Sequence, residues 1–208
     1  MVEWDCHIKK TLHPLNRQRS DVQEKRASWQ ERQTVLDPYK LVFLDESSIN
    51  FGMTRLYGRA ATNERINDYV PDVRFQRLSI LSTVRLDGTQ IPFVFNGSLN
   101  SELFKEYIEK LLAPALSSGD IVVLDNSSVH RAKGVLDSLI ERGVIVLFLP
   151  PYSSDFNPIE KLWSKMKSFL CKQKARTYDT LIDAIKLALE NISNDDVSAW
   201  FKHDGYNI

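Results

Sequence analysis

Hydrophobic positions along the chain fall into two patterns. Runs in which apolar residues follow one another without polar alternation read as strands buried on both faces. Stretches with apolar residues three and four apart read as amphipathic helices. The first run, KLVFLDESSI at 40–49, is bounded by Pro38 and by Ser and Asn, and predicts a buried strand ending near Asp45. FQRLSILSTVRLDGTQIPFVFNG at 75–97 predicts two strands joined at Asp87-Gly88, a dipeptide suited to the positive backbone angles of a hairpin turn. After Asn100, a good N-cap, Leu103, Phe104, Tyr107, Ile108, Leu111 and Leu112 have helical spacing. DIVVLDNSS at 120–128 and VIVLFLP at 144–150 are two further apolar strands, with a helix over 132–143, capped by Gly143, between them. Helices are then predicted over 157–174, 178–192 and 195–203, and the polar first 37 residues hold one more over 19–34. Between residues 50 and 68 a Gly- and Arg-containing stretch reads as an irregular hairpin.

The order is three strands, then helix, strand, helix, strand, helix and a helical tail. Three consecutive strands form an antiparallel meander, whereas strands separated by helices become parallel through right-handed crossovers. The expected architecture is an α/β fold, a mixed five-stranded sheet with helices on both sides and a helical C-terminal tail. Neither a repeat nor a low-complexity tract interrupts it.

Composition changes this picture little. The chain has 208 residues, 43% hydrophobic and 26% charged, enough for one domain with a sizeable core. It shows no apolar run of membrane-spanning length and no signal-peptide core, so a cytoplasmic protein is the expectation. Cys6 and Cys171 have no zinc or redox spacing and are expected to be free thiols. Lys plus Arg equals Asp plus Glu at 27 each, so overall charge argues for no polyanionic partner. Locally, Lys161, Lys165, Lys167, Lys172, Lys174 and Arg176 face the single acid Glu160, which suits either a solvated helix face or a phosphate-binding one.

The chemistry rests on three acids. Asp45 closes the first strand and Asp125 the fourth, so adjacent parallel strands would bring both to one sheet edge, where sites of open α/β sheets lie. Glu160 opens the helix that follows the last strand, after the stiff lead-in LPPYSSDFNP at 149–158. Three gathered carboxylates would not all ionise without a cation, and a hard divalent ion such as Mg²⁺ fits oxygen ligands. Two such ions about 4 Å apart suit phosphodiester chemistry. Each acid also has a plain structural reading, since single Asp residues end strands and a first-turn Glu serves the helix dipole.

VFLDES, YGRA, VVLDNSSVHRAK and LPPYSSDFNPIEKLWSKMK resemble the catalytic core of DDE transposases, specifically the bacterial insertion sequence 630 family within the Tc/mariner superfamily. The resemblance runs from about Thr11 to Tyr206 and is most specific at NPIEKLW. It implies a ribonuclease-H-like fold, a catalytic triad of Asp45, Asp125 and Glu160 holding Mg²⁺ or Mn²⁺, and DNA strand cleavage followed by strand transfer. The spacing of 34 residues between Asp125 and Glu160, 126 to 159, is similar to that of the superfamily. It further implies double-stranded DNA as partner, both element ends and target, a homodimer on DNA, and nucleoid association when bound. Residues 1–37 would then be a linker and helix, and 38–208 the catalytic domain. Family members generally carry a helix-turn-helix domain for end recognition, and 208 residues leave no room for one here. A split transposase with a second, helix-turn-helix-bearing product, or a truncated remnant acting as a regulator, are the two corresponding expectations. A stand-alone ribonuclease-H-like nuclease is a third. Asn126 and His130 are candidate supporting residues, and Arg55, Arg59, Lys161 and Lys165 are candidate DNA contacts. Trp163 is expected to pack its helix on the sheet, and Glu46 to point away from Asp45.

Overall fold

β1 spans Leu41–Asn50, longer than the expected strand ending near Asp45. Its antiparallel partner β2, Arg77–Arg85, explains the extension, because pairing runs unbroken from Val42 opposite Arg85 to Asn50 opposite Arg77. On the other side the parallel strand β4, Ile121–Leu124, pairs only with Leu41 to Phe43. Asp45 therefore stands in mid-strand, just past the point where β4 leaves β1. β3, Phe93–Asn96, and β5, Ile145–Phe148, complete a five-stranded sheet in the order β3-β2-β1-β4-β5. The meander and the parallel pair are as the pattern of elements predicts. This computed structural model describes residues 14–54, 60–61, 64–67, 69, 77–175 and 177–208, so Cys6, Arg55, Arg59 and part of the expected hairpin at 50–68, namely 55–59, 62–63 and 68, lie outside the described residues.

The β2–β3 turn forms where Asp87-Gly88 placed it. The Gly88 N–H donates to the Arg85 carbonyl, and the Arg85 N–H to that of Thr89. Gly88 has φ +84°, and a Cβ there would come within 2.4 Å of Asn194 Oδ1, so both backbone and space call for glycine.

Alternation along the strands separates two cores. Leu41, Phe43 and Ile49 of β1, with Ile121 and Val123 of β4, face one side. Val42, Leu44, Val122 and Leu124 face the other. The first side is covered by α1 (Ser20–Gln33), α5 (Ile159–Gln173), α6 (Tyr178–Glu190) and α7 (Asn194–His203). α5 buries Ile159, Leu162, Trp163, Met166 and Leu170, one stripe of the helix. Phe43 meets Phe201 and Tyr206 edge-on at 5.4 and 5.1 Å between ring centres. The second side is covered by α2 (Ser101–Tyr107), a π-helical turn at Ile108–Leu112 and α3 (Ala113–Ala115), with α4 (Asp137–Glu141) beside them. The π turn directly precedes Pro114, whose ring would strike the carbonyl four residues back in a regular α-helix.

Two expectations are corrected. The helix over 132–143 shrinks to α4, because Gly134 at φ +77° takes the left-handed conformation and breaks the turn before it can propagate. The helix of Glu160 starts at Ile159 rather than 157, after a short 3-10 turn at Ser154–Phe156, and ends where Lys174 turns left-handed at φ +49°. Cys171 is a free thiol. No described helix is long and apolar enough to cross a membrane.

Candidate active site

Parity along the strands decides which acids can meet. Asp45 follows Leu41 and Phe43 at alternate positions, and Asp125 likewise follows Ile121 and Val123, so both belong to the face that α5 covers. α5 starts at that end of the sheet and carries Glu160 in its first turn. All three acids line one cleft of about 500 Å³, together with Asn126, Ser127, Pro150 to Ser154 and Asn157. Asp45 forms its half-buried floor, while Asp125 and Glu160 stand exposed on its walls.

The electrostatics match this geometry. Burial, then the negative charge of Glu160, then that of Asp125, push the Asp45 carboxyl up to about 7, against the pull of the Glu46 N–H and Trp163. Trp163 Nε1 donates to Asp45 Oδ2 at 3.2 Å. Burial also raises Glu160, with Lys167 and Lys161 opposing it and Asp125 adding to it. For Asp125 burial acts upward too, but contact with His130 and the Ser127 N–H outweighs it and holds this carboxyl below its usual value. His130 Nδ1 lies 2.6 Å from Asp125 Oδ1, and the Ser127 N–H donates to the same oxygen at 2.9 Å. One carboxyl is thus held below its usual value while the other two are raised, chiefly by burial, with neighbouring negative charge adding to it. Among the described residues no three acidic, His or Cys side chains are already drawn together into a metal site.

The loop from Pro150 to Pro158 is fixed from outside. Tyr152 takes the left-handed conformation at φ +57°. Arg26 of α1, buried, donates from Nη1 to Ser153 Oγ at 2.7 Å and to Asp155 Oδ1 at 3.0 Å, and from Nη2 to Asp155 Oδ2 at 2.7 Å. Its guanidinium lies 4.2 Å above the Phe156 ring, whose backbone carbonyl accepts from Tyr206 Oη at 2.8 Å. This clamp delivers Glu160 to the cleft.

The other sequence candidates separate. Asn126 lines the cleft, donating to the Leu149 carbonyl and accepting from Arg131. His130 is 3% exposed, packs on Phe104 at 4.5 Å between ring centres, and sits behind Asp125 rather than on the cleft wall. Lys161 and Lys165 are not presented as open phosphate contacts: Lys161 is paired with buried Asp204 and Lys165 with Asp196, fastening α5 to the C-terminal helix. Trp163 packs as expected and also bonds Asp45, since a buried indole N–H needs an acceptor, but that partner lies 118 residues away and left no local signal. Arg26 carried no local signal, its partners lying 126 to 129 residues away.

No curated protein sequence matches the chain. Among solved structures it is similar to the Mos1 transposase paired-end complex with left transposon end, at TM-score 0.79 and 17% identity over 98% of this chain and 65% of that one. The mariner Mos1 paired end complex with Mg gives 0.80, 17%, 99% and 64%. The catalytic domain of Mos1 mariner transposase gives 0.70, 18%, 96% and 100%. The chain thus spans slightly less than two thirds of the transposases in the two complexes and the whole of the isolated catalytic domain. At these identities the likeness establishes the fold, a ribonuclease-H-like one. Residues 40–182, which hold all five strands, the three acids and the helix of Glu160, match the family described as DDE superfamily endonuclease, and the chain belongs to that family.

Proposed function

We propose that this chain is the catalytic part of a transposase of the insertion sequence 630 type, which cuts DNA strands and joins the freed 3′ ends to target DNA by phosphoryl transfer. The observation that carries the reading is the cleft in which Asp45, Asp125 and Glu160 meet from β1, the exit of β4 and the start of α5. Membership of the DDE endonuclease family supports it, as does the likeness to Mos1 complexes with transposon ends and with Mg or Mn.

The donor set fits Mg²⁺ or Mn²⁺, because three hard carboxylates share one cleft and the innermost is pushed toward neutrality by burial and then by the charges of the other two. Asp45, Asp125 and Glu160 would hold the cation. When bound, two such ions supply activation of the attacking hydroxyl and stabilisation of the leaving oxygen in an in-line displacement. The remaining steps belong to the chain. His130 keeps Asp125 oriented and ionised, Trp163 fixes Asp45, and the Arg26 clamp sets the position of Glu160. No side chain of the cleft needs to bond covalently to DNA. Duplex element ends and target DNA are the partners in this reading. Two copies act together, and end recognition comes from a helix-turn-helix segment, on the same polypeptide or on a separate product.

The test is cleavage of DNA bearing the element ends with Mg²⁺ or Mn²⁺ and the recognition segment supplied. Asp125→Asn should fold normally and lose activity by about 10³-fold or more, the kinetic equivalent of several kcal/mol of lost metal stabilisation. Undiminished cleavage by this variant overturns the assignment. A wild-type chain that pairs with an active transposase but never cuts is a regulator, and preference for RNA–DNA hybrids marks a ribonuclease.

A further inference from the structure

A second concavity, of about 750 Å³, adjoins the acid cleft and shares Asn126, Leu149, Pro150 and Pro151 with it. Its far wall is one face of α1, where Lys25, Ser28, Trp29 and Arg32 recur at the spacing of a single helical stripe. Its near wall carries Arg131 and Phe148. The proposed reaction uses none of these side chains. Lys25, Arg32 and Arg131 are exposed, against one acid, Glu24, so the groove has an excess of positive charge in a protein whose total formal charge is zero.

Arg131 is built into the groove. Its guanidinium lies 4.7 Å above the Phe148 ring and donates to the Asn126 side-chain carbonyl, while Asn126 donates to the backbone of Leu149. Those bonds tie the cation to the residue next to Asp125. Lys25 and Arg32 stand two turns apart, about 10 Å along the helix, so they can meet different phosphates of one strand. Stacked on the half-buried Phe148 ring, Arg131 presents a flat guanidinium on which an unpaired base can lie, while Trp29 is buried beneath α1.

We propose that this groove takes the DNA strand leaving the acid cleft, as an unpaired extension, with Arg131 and Arg32 binding its phosphates. The proposal rests on the reading of the cleft as a DNA-cleavage site. Continuity of the two concavities and charge complementarity carry it, and the stacked, tethered guanidinium marks Arg131 as the first contact beyond the scissile phosphate.

The experiment is an anisotropy titration of the full chain with a labelled duplex, either blunt or bearing an extension of about six unpaired nucleotides. EDTA is present so that neither metal nor cleavage enters the readout. The wild type should bind the extended duplex several-fold more tightly, with a steeper salt dependence. Arg131→Gln and Arg32→Gln, both at exposed positions, should each lose most of that gain and reduce the salt slope by about 0.7 per lost contact. Lys186→Gln, beside β3 on the far edge of the sheet, should keep the gain. An extension that adds nothing for the wild type, or a gain that survives in both groove variants, overturns the groove. Either result leaves the cleavage reading standing or falling separately on metal-dependent activity and its loss in Asp125→Asn.

Discussion

Asp45 differs from its two acidic neighbours in having little water to turn to. It stands in mid-strand beneath α5, holds one indole hydrogen bond, and meets two further negative charges across the cleft. Its carboxyl is raised to about 7 in the folded chain against an ordinary value of 3.8, so folding favours the protonated form. The contribution is therefore fully present below pH 4 and is lost as pH rises through 7. In the metal-free protein, Asp45→Asn should raise unfolding stability at pH 8 by on the order of 2 to 4 kcal/mol and have little effect near pH 4. Denaturant melts at the two pH values check this, and an equal effect at both would show that burial and charge repulsion are not the cause. Asp125 and Glu160 could be picked out from sequence by their place at the ends of apolar runs. The donation from Trp163 and the contact of His130 with Asp125 could not, because both depend on how α5 and the β4 exit dock on the sheet.

At the scale of elements, the leading loop and first half of α5 are fixed by charges that look alike in sequence and act differently. Its leading loop is held by Arg26 on Asp155, whereas Lys161 and Lys165 reach across to α7. Asp204 is fully buried, so removing Lys161 would leave its carboxylate in the interior with only the exposed His203 ring, 3.1 Å away, as partner. Lys161→Ala should lower stability by about 2 to 3 kcal/mol, read by denaturant unfolding, and should leave the salt slope of DNA binding unchanged; a slope reduced without loss of stability would instead make Lys161 a phosphate contact. The run of cations after Glu160 was open in sequence to either reading, since helical spacing gives the face a residue occupies but not what lies opposite. The stunted α4 has the same origin. Gly134 is tolerable in a helix by sequence, and only its positive φ in the folded chain ends the turn there.

For the whole molecule, the proposed cation site would make metal binding and stability one equilibrium. A cation that binds only the folded chain adds about 2.7 kcal/mol at a hundred times its dissociation constant. Protons compete for Asp45, so Mg²⁺ should raise the melting temperature clearly at pH 8 and much less at pH 5.5. Thermal scans with and without Mg²⁺ at the two values test it, and a pH-independent shift would place the ion elsewhere. The order of strands and helices was legible in the chain because unalternating apolar runs and helical spacings are local, and the crossover rule turns that order into a mixed sheet. The three acids were legible because they terminate or follow such runs. Tertiary structure alone decided that β1 continues to Asn50 beyond β4, that Arg26 holds the loop of Glu160, that Lys161 and Lys165 serve α7, and that Arg131 faces a groove beside the site. Each depends on residues far apart in the chain, whose meeting is set by packing across the sheet rather than by any pattern along it.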